Sequence, residues 1–473
     1  MNNHKTKICT AVVILLSLSM LSGCSIPSYD GFEFPSAVKS TLTPNTSESY
    51  YIQRNFEGVE PTKEKTVKTV SSADGLCVIE KKVSYYDVTL DYENGSYYDI
   101  GAAYAEAVLQ LVPDYPSVIE GYLFENIESM MGEGTNYEMF TDRVNTLRSS
   151  LDKNYQDEMQ GFADKISSGQ HGFSPDGKMS VEESMIMHMV PDAVRPTACS
   201  VMTVNGNKTT SGHRLAARVL EWDPGKDNQL SRFHCVTHFR SNSHSFNSVG
   251  LLGMLDVLTA VNDDGVMTGE LDVGAKFDFE KMYIAPFISE GRTCYSYDLR
   301  YIMENYTTAK DAANYLADRS KLYTYNANLF IADDKDAFCV EAVVSETEGK
   351  TIIRDSSTEL HDGLEWNDPD SFCIVNSFAA KGNSDKITDI DSNLVRWIKY
   401  NNLFASAKEK LSTARFKELM TAEKIKDSEL VSFRSSSVVH LAVADFDSHT
   451  VQAVFSGKDD PDDIEWIDLG KFF

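Results

Sequence analysis

Basic side chains are in short supply along these 473 residues: 44 Lys and Arg stand against 71 Asp and Glu, a net charge of −27. No basic stripe interrupts the excess, so nucleic acid and anionic lipid headgroups are repelled rather than attracted as partners. Cysteine is sparse as well, with 8 in the chain. Cys9 and Cys24 lie near the amino terminus, leaving Cys77, Cys199, Cys235, Cys294, Cys339 and Cys373 for the body. That density excludes a disulfide-built scaffold, and few or no structural disulfides are expected. Long apolar runs are missing: residues 8–20, about 13 positions, fall short of the roughly 20 that cross a bilayer. A Gly-X-Ser-X-Gly elbow, a His-Glu-X-X-His helix and a phosphate-binding glycine loop are also absent, which argues against serine hydrolases, zinc peptidases and nucleotide enzymes. No cofactor is expected, and no internal repeat at fixed period is visible.

What is present starts with a core-forming composition, 42% hydrophobic and 11% aromatic. Lys5 and Lys7 precede the short apolar run, which ends in Leu21-Ser22-Gly23-Cys24. The order of charge, apolar stretch and small residues is that of a secretory signal. Leu-Ser-Gly-Cys resembles the bacterial lipoprotein box, which implies removal of residues 1–23, a lipid on Cys24 and an extracytoplasmic protein anchored to the cell membrane. Residues 24–65, rich in Ser, Thr, Pro and Asn, read as a tether.

Segment 66–92 alternates like strands. Ser96, followed by Asp99, predicts the cap of a helix whose apolar positions Ile100, Tyr104, Ala107, Val108 and Leu111 recur until Pro113. Gly101, Ala102 and Ala105 would let another element approach closely. Further helices are expected over 115–131, 136–168 and 180–190, making 66–198 a mainly helical segment. From residue 199 to 473 the pattern changes to hairpins, with turn signals such as Asn205-Gly206 and Asp263-Asp264-Gly265. Helices are expected over 295–318 and 390–422, then strands over 433–444 and 449–456. This order predicts a layered α+β fold.

Residues 195–225 carry the strongest chemical signal: two strands around a polar hairpin, with Cys199 opening the first and Arg218 and Glu221 closing the second. A thiol is a weak nucleophile until a base or a neighbouring charge favours the thiolate, and an α-amine is a base suited to neutral pH. If the chain were cut between Ala198 and Cys199, base and nucleophile would share one residue. An arginine and a carboxylate on the adjacent strand would then hold the thiolate and the ammonium. Against this stands the commoner role of cysteine as an inert buried hydrophobe.

Three other clusters have plainer readings. His234, Cys235 and His238 have metal-ligand chemistry, but on a strand Cys235 points away from both histidines, so no metal site is expected. Met185, Met187, His188 and Met189 read as a buried helix face. Asp459, Asp460, Asp462 and Asp463 lack the spacing of a calcium loop and read as a solvated turn.

The segment after Cys199 resembles the start of the mature chain in the acyl-coenzyme A:6-aminopenicillanic acid acyltransferase family, self-processing cysteine peptidases related to choloylglycine hydrolases within the Ntn hydrolase superfamily. Arg218 matches the family's arginine, whereas Glu221 replaces its aspartate and Val219 its asparagine. Asn94 to Gly101 is similar to the family's pro-segment signature, and Thr259 to Val266 to its Asn-X-X-Gly-Leu hairpin. Val375-Asn376-Ser377-Phe378 resembles its Thr-Asn-His-Phe strand, and Asp391 to Arg396 its arginine-bearing helix start. The resemblance implies a four-layer αββα sandwich and an N-terminal-cysteine hydrolase or acyltransferase that acts on a linear amide. It further implies a self-cleaved Ala198–Cys199 bond, Asn376 at the oxyanion, Arg218 and Arg396 steering charge, and two cut chains that stay together. Asp272 falls where the relatives place a polar asparagine. A carboxylate there would repel an oxyanion, so it points elsewhere, is protonated, or leaves the role to backbone amides. The alternatives are an uncleaved, catalytically inactive binding lipoprotein of the same fold, or a solute-binding lipoprotein, which predicts repeated strand-helix units.

Overall fold

The computed structural model describes residues 51–52, 55–131, 137–194, 198–273, 288–345, 349–366, 368–383, 391–426, 429–431, 438–456 and 464–472. The signal segment, Cys24, the tether up to residue 50 and the acidic turn around Asp459 lie outside them. Among the described residues no helix is long and apolar enough to cross a membrane.

Strands β1 (Tyr51–Ile52), β2 (Lys68–Ser71), β3 (Cys77–Lys81) and β4 (Tyr86–Asp91) come first. Helices α1 (Tyr97–Leu111), α2 (Tyr115–Met131), α3 (Glu138–Ser150), α4 (Lys153–Ser167), α5 (Val181–Met187) and α6 (Val190–Ala193) follow. Then come β5 (Ala198–Val204), β6 (Leu215–Glu221), β7 (His234–Arg240), β8 (Phe246–Leu251), β9 (Thr259–Asn262) and β10 (Met267–Asp272). Helices α7 (Tyr295–Asn305) and α8 (Ala309–Arg319) lead to β11 (Ala327–Ala332), β12 (Ala337–Ala342), β13 (Ile352–Arg354) and β14 (Ser371–Val375). Helices α9 (Asp391–Tyr400) and α10 (Thr413–Met420) precede β15 (Glu423–Lys426), β16 (Glu429–Val431), β17 (Val438–Asp445), β18 (Thr450–Phe455) and β19 (Ile467–Lys471).

Caps set the helix boundaries. The Ser96 side chain accepts from the Asp99 amide and opens α1. The stretch 136–168, expected as one helix, breaks because Asp152 accepts from the Asn154 amide at 2.8 Å and starts α4. Thr308, accepting from Asp311, likewise divides 295–318. Helices α1 and α4 cross where glycine is required: a Cβ on Gly101 would lie 2.0 Å from the Glu158 carbonyl, and one on Gly161 2.0 Å from that of Tyr98.

The strands form a ten-stranded sheet in the order β13-β12-β11-β10-β9-β8-β7-β4-β3-β2, a six-stranded sheet β14-β5-β6-β17-β18-β19, and a small sheet β1-β15-β16. Strands β2, β3 and β4, in the stretch 66–92 whose alternation predicts strands, complete the large sheet. Within that sheet β4 runs parallel to β7, pairing Tyr86 with Cys235 through Asp91 with Arg240.

The six-stranded sheet is apolar on both faces. Cys199, Val201 and Leu220 join a core shared with the large sheet and helices α1 to α8. Met202, Val204 and Val219 join a second core with Trp397, Phe404 and Phe416 of the α9–α10 region. The near end of the expected tether is packed too: Phe56 is buried and its amide donates to Glu418 Oε1 at 2.9 Å.

Candidate active site around Cys199

Antiparallel pairing of β5 with β6 sets Cys199 opposite Leu220 and Val201 opposite Arg218. Directly opposed residues share a face, so the Cys199 and Arg218 side chains lie on the same side of the sheet. Arg218 Nη2 donates to Cys199 Sγ at 3.1 Å and to the Glu270 carbonyl at 2.8 Å, and lies 3.4 Å from Glu270 Oε1. Cys199, Arg218 and Glu270 are fully buried. In that low-dielectric setting a guanidinium beside sulfur favours the thiolate. Gly269 leaves room for this arginine, because a Cβ there would approach Arg218 Cγ to 3.1 Å.

The opposite face handles the main chain. From α9, Arg396 donates through Nη1 to the Cys199 carbonyl and, at 3.0 Å, to Glu221 Oε2. Its Nη2 donates to Asn376 Oδ1 at 3.0 Å and Asn393 Oδ1 at 2.6 Å. One turn along α9, the Tyr400 hydroxyl lies 2.9 Å from Ser200 Oγ. Glu221, expected to hold the Cys199 ammonium, pairs with Arg396 on the face of the sheet opposite to Arg218. Residues three apart on a strand face opposite ways.

Asn376 follows β14, whose Val375 pairs with Ser200. Its Oδ1 accepts from the Cys199 amide at 2.6 Å and its Nδ2 donates to the Asp272 carbonyl at 2.8 Å. The Asp272 carboxylate takes the Tyr295 hydroxyl at 2.7 Å. Burial pushes that phenol well above its usual range, with the neighbouring Asp272 and Glu270 charges adding to the shift, so it stays protonated and can donate. Asn328 ties the two sheets together at this point, donating to the Val375 and Ser377 carbonyls at 2.9 and 2.8 Å.

The structure therefore brings Cys199, Arg218, Glu221, Asn376, Arg396 and Asp272 into one site, with Ala198 in β5 immediately before the thiol. Glu270, Tyr295, Asn328, Asn393 and Tyr400 were not singled out from the sequence. Asn393, Arg396 and Tyr400 have the spacing of one helix face, a readable signal; nothing local marks Glu270 or Asn328.

All six described cysteines are free. Burial pushes up the thiols of the other five, Cys235, Cys339 and Cys373 to about 12. His234 Nε2 faces the Ser456 carbonyl at 3.0 Å, whereas His238 bridges Asn247 and Asp87. No group of three or more His, Cys, Asp or Glu side chains among the described residues is placed to hold a metal.

No protein-family model matches the chain, and no curated protein matches it. Among solved structures it is similar to the N-acylethanolamine-hydrolyzing acid amidase ortholog of Caenorhabditis elegans, at TM-score 0.35 and 14% identity over 52% of this chain and 92% of that one. A mutant conjugated bile acid hydrolase from Clostridium perfringens gives 0.33 and 11% over 57% and 92%. Penicillin V acylase from Agrobacterium tumefaciens gives 0.33 and 13% over 57% and 86%. At these scores the likeness carries no functional argument, and the chemistry of the site rests on its own geometry.

Proposed function

We propose that this chain is a self-processing N-terminal-cysteine amide hydrolase or acyltransferase with a four-layer αββα body of the Ntn type, anchored outside the cytoplasm through a lipid on Cys24. One observation carries the reading: a buried thiol receives a guanidinium at 3.1 Å while its own amide nitrogen is held by Asn376 at 2.6 Å. Sulfur and nitrogen of one residue are thus each bound by a side chain suited to a reacting centre.

In the first step the Cys199 sulfur bonds to the Ala198 carbonyl carbon. The carbon–nitrogen bond to Cys199 breaks, and the thiol proton ends on the freed nitrogen. Water then hydrolyses the thioester, leaving a carboxylate on Ala198 and restoring the thiol. In turnover the same sulfur attacks the carbonyl carbon of a linear amide, the Cys199 amine carries the thiol proton to the leaving nitrogen, and water or an acceptor amine takes the acyl group. Arg218 supports the thiolate, and Arg396 and Glu221 hold the main chain at Cys199. Asn376 holds the nitrogen of the scissile bond through Oδ1, and an oxyanion role requires its Nδ2 to leave the Asp272 carbonyl for the reacting one.

The two products would stay associated, a reading supported by the β4–β7 pairing and by the buried Glu158–Arg300 ion pair. Intact mass of purified protein tests the proposal. Two fragments meeting at Ala198 and Cys199, and a single chain for Cys199→Ala, are expected. An uncut wild-type chain that ignores a thiol-reactive probe overturns it.

A further inference from the structure

The turn just upstream of β5 is gripped from several sides. Helix α6 is only Val190–Ala193, and all four residues are buried. Asp192 Oδ1 accepts from the Tyr295 amide at 2.7 Å and Oδ2 from Ser296 Oγ at 2.6 Å. Its carbonyl accepts from Thr324 Oγ1 at 2.8 Å. The Ala193 carbonyl takes both Nε and Nη2 of Arg143, at 3.0 and 2.7 Å. The N-cap residue of α7, Cys294, makes no side-chain cap bond, so Asp192 does that work from another part of the chain.

Tyr295 connects this grip to the site. Its hydroxyl lies 3.1 Å from the Pro191 carbonyl and 2.7 Å from Asp272 Oδ1, so one proton serves two acceptors. Asp272 in turn offers its carbonyl to Asn376, whose Oδ1 holds the Cys199 amide. Five residues beyond Ala193 stands Ala198. A chain of that length spans at most about 18 Å, so fixing α6 confines where the Ala198 carbonyl can lie relative to the thiol.

We infer that Asp192 is a positioning residue for self-cleavage, clamping the chain before β5 to the start of α7 so that the Ala198 carbonyl is presented to Cys199 Sγ. This rests on the proposed cleavage at Ala198–Cys199. Asp192 touches neither the sulfur nor the scissile carbonyl; it acts through the turn it holds. Ser296, Thr324 and Tyr295 lie on the far side of the cut, so the clamp joins the two future fragments.

The test follows conversion of freshly purified full chain into two fragments by intact mass, alongside thermal melting. Asp192→Ala should cut roughly tenfold to a hundredfold more slowly, the scale set by small misplacements of reacting groups. Asp192→Asn, which keeps an acceptor for the Tyr295 amide and a polar partner for Ser296, should cut at nearly the wild-type rate. Should Asp192→Ala not fold, Ser296→Ala and Thr324→Val each remove one leg of the clamp and should each slow cutting while melting within a few degrees of wild type. Wild-type cutting matched by the folded variants overturns the clamp alone. A wild-type chain that is never cut overturns the proposed function beneath it.

Discussion

Arg218 and Glu221, neighbours on β6, serve opposite faces of one sheet: the first donates to Cys199 Sγ at 3.1 Å, and the second accepts from Arg396 at 3.0 Å. The thiol and the main chain of the same cysteine are therefore governed by separate guanidinium groups. Substitutions on the two faces should separate sulfur reactivity from positioning.

Arg218→Met is expected to lose thiol reactivity and to cost about 3–5 kcal/mol, because it leaves the Glu270 carboxylate without its buried guanidinium. Adding Glu270→Gln should return most of the stability and none of the reactivity. Denaturant melts and the rate of alkylation by iodoacetamide check both. Recovered alkylation in the double variant would contradict the role assigned to Arg218.

Asn376→Ala removes the acceptor for the Cys199 amide and the donor to the Asp272 carbonyl. A fall of about tenfold to a hundredfold in cutting and in amide turnover is expected, the scale set by misplacing a reacting group. Time courses by intact mass and by amine release measure it. An unchanged rate would contradict the hold of Asn376 on the Cys199 nitrogen.

The pH dependence of stability has a defined sign at Asp192. Burial pushes its carboxyl up to about 8, with the Glu270 charge adding to the shift and bonds from Ser296 and Tyr295 opposing it. An unfolded carboxyl titrates near 3.9, so folding favours the protonated form. That contribution is whole below about pH 4 and is lost as pH rises through about 8. In the Cys199→Ala background, the melting temperature of Asp192→Asn should therefore gain on the parent by a few degrees between pH 5 and pH 8. A constant difference would contradict the buried neutral carboxyl.

Gly101→Ala would force a methyl group to 2.0 Å from the Glu158 carbonyl, part α1 from α4 and disturb the Glu158–Arg300 pair below. A loss of about 1–3 kcal/mol is expected from overpacking, read by denaturant melts. A neutral result would mean that the helices separate at no cost.

Much of this was legible in the sequence wherever the cause is local. Ser96 and Pro113 bracket α1 closely, and the hairpin spacing around Cys199 places Arg218 on the adjacent strand. The breaks at Asp152 and Thr308 were missed because apolar periodicity runs across them while a side-chain cap restarts the helix. The odd spacing of Glu221 from Arg218 already fixes opposite faces, whereas its partner Arg396 comes from a helix 175 residues away. The union of β4 with β7 was not readable, because it joins residues 86–91 to 235–240 with helices α1 to α6 and strands β5 and β6 between them. Glu270 and Asn328 matter only because the two sheets meet, a tertiary fact with no local signature.

The parallel seam between β4 and β7 has a practical consequence for making the protein. A chain begun at Cys199 would leave β7 as a bare sheet border, its backbone groups open to any passing strand, the situation in which purified domains aggregate. Such a truncated product should collect in inclusion bodies, whereas the whole chain should express as soluble material once residues 68–91 have zipped the border shut.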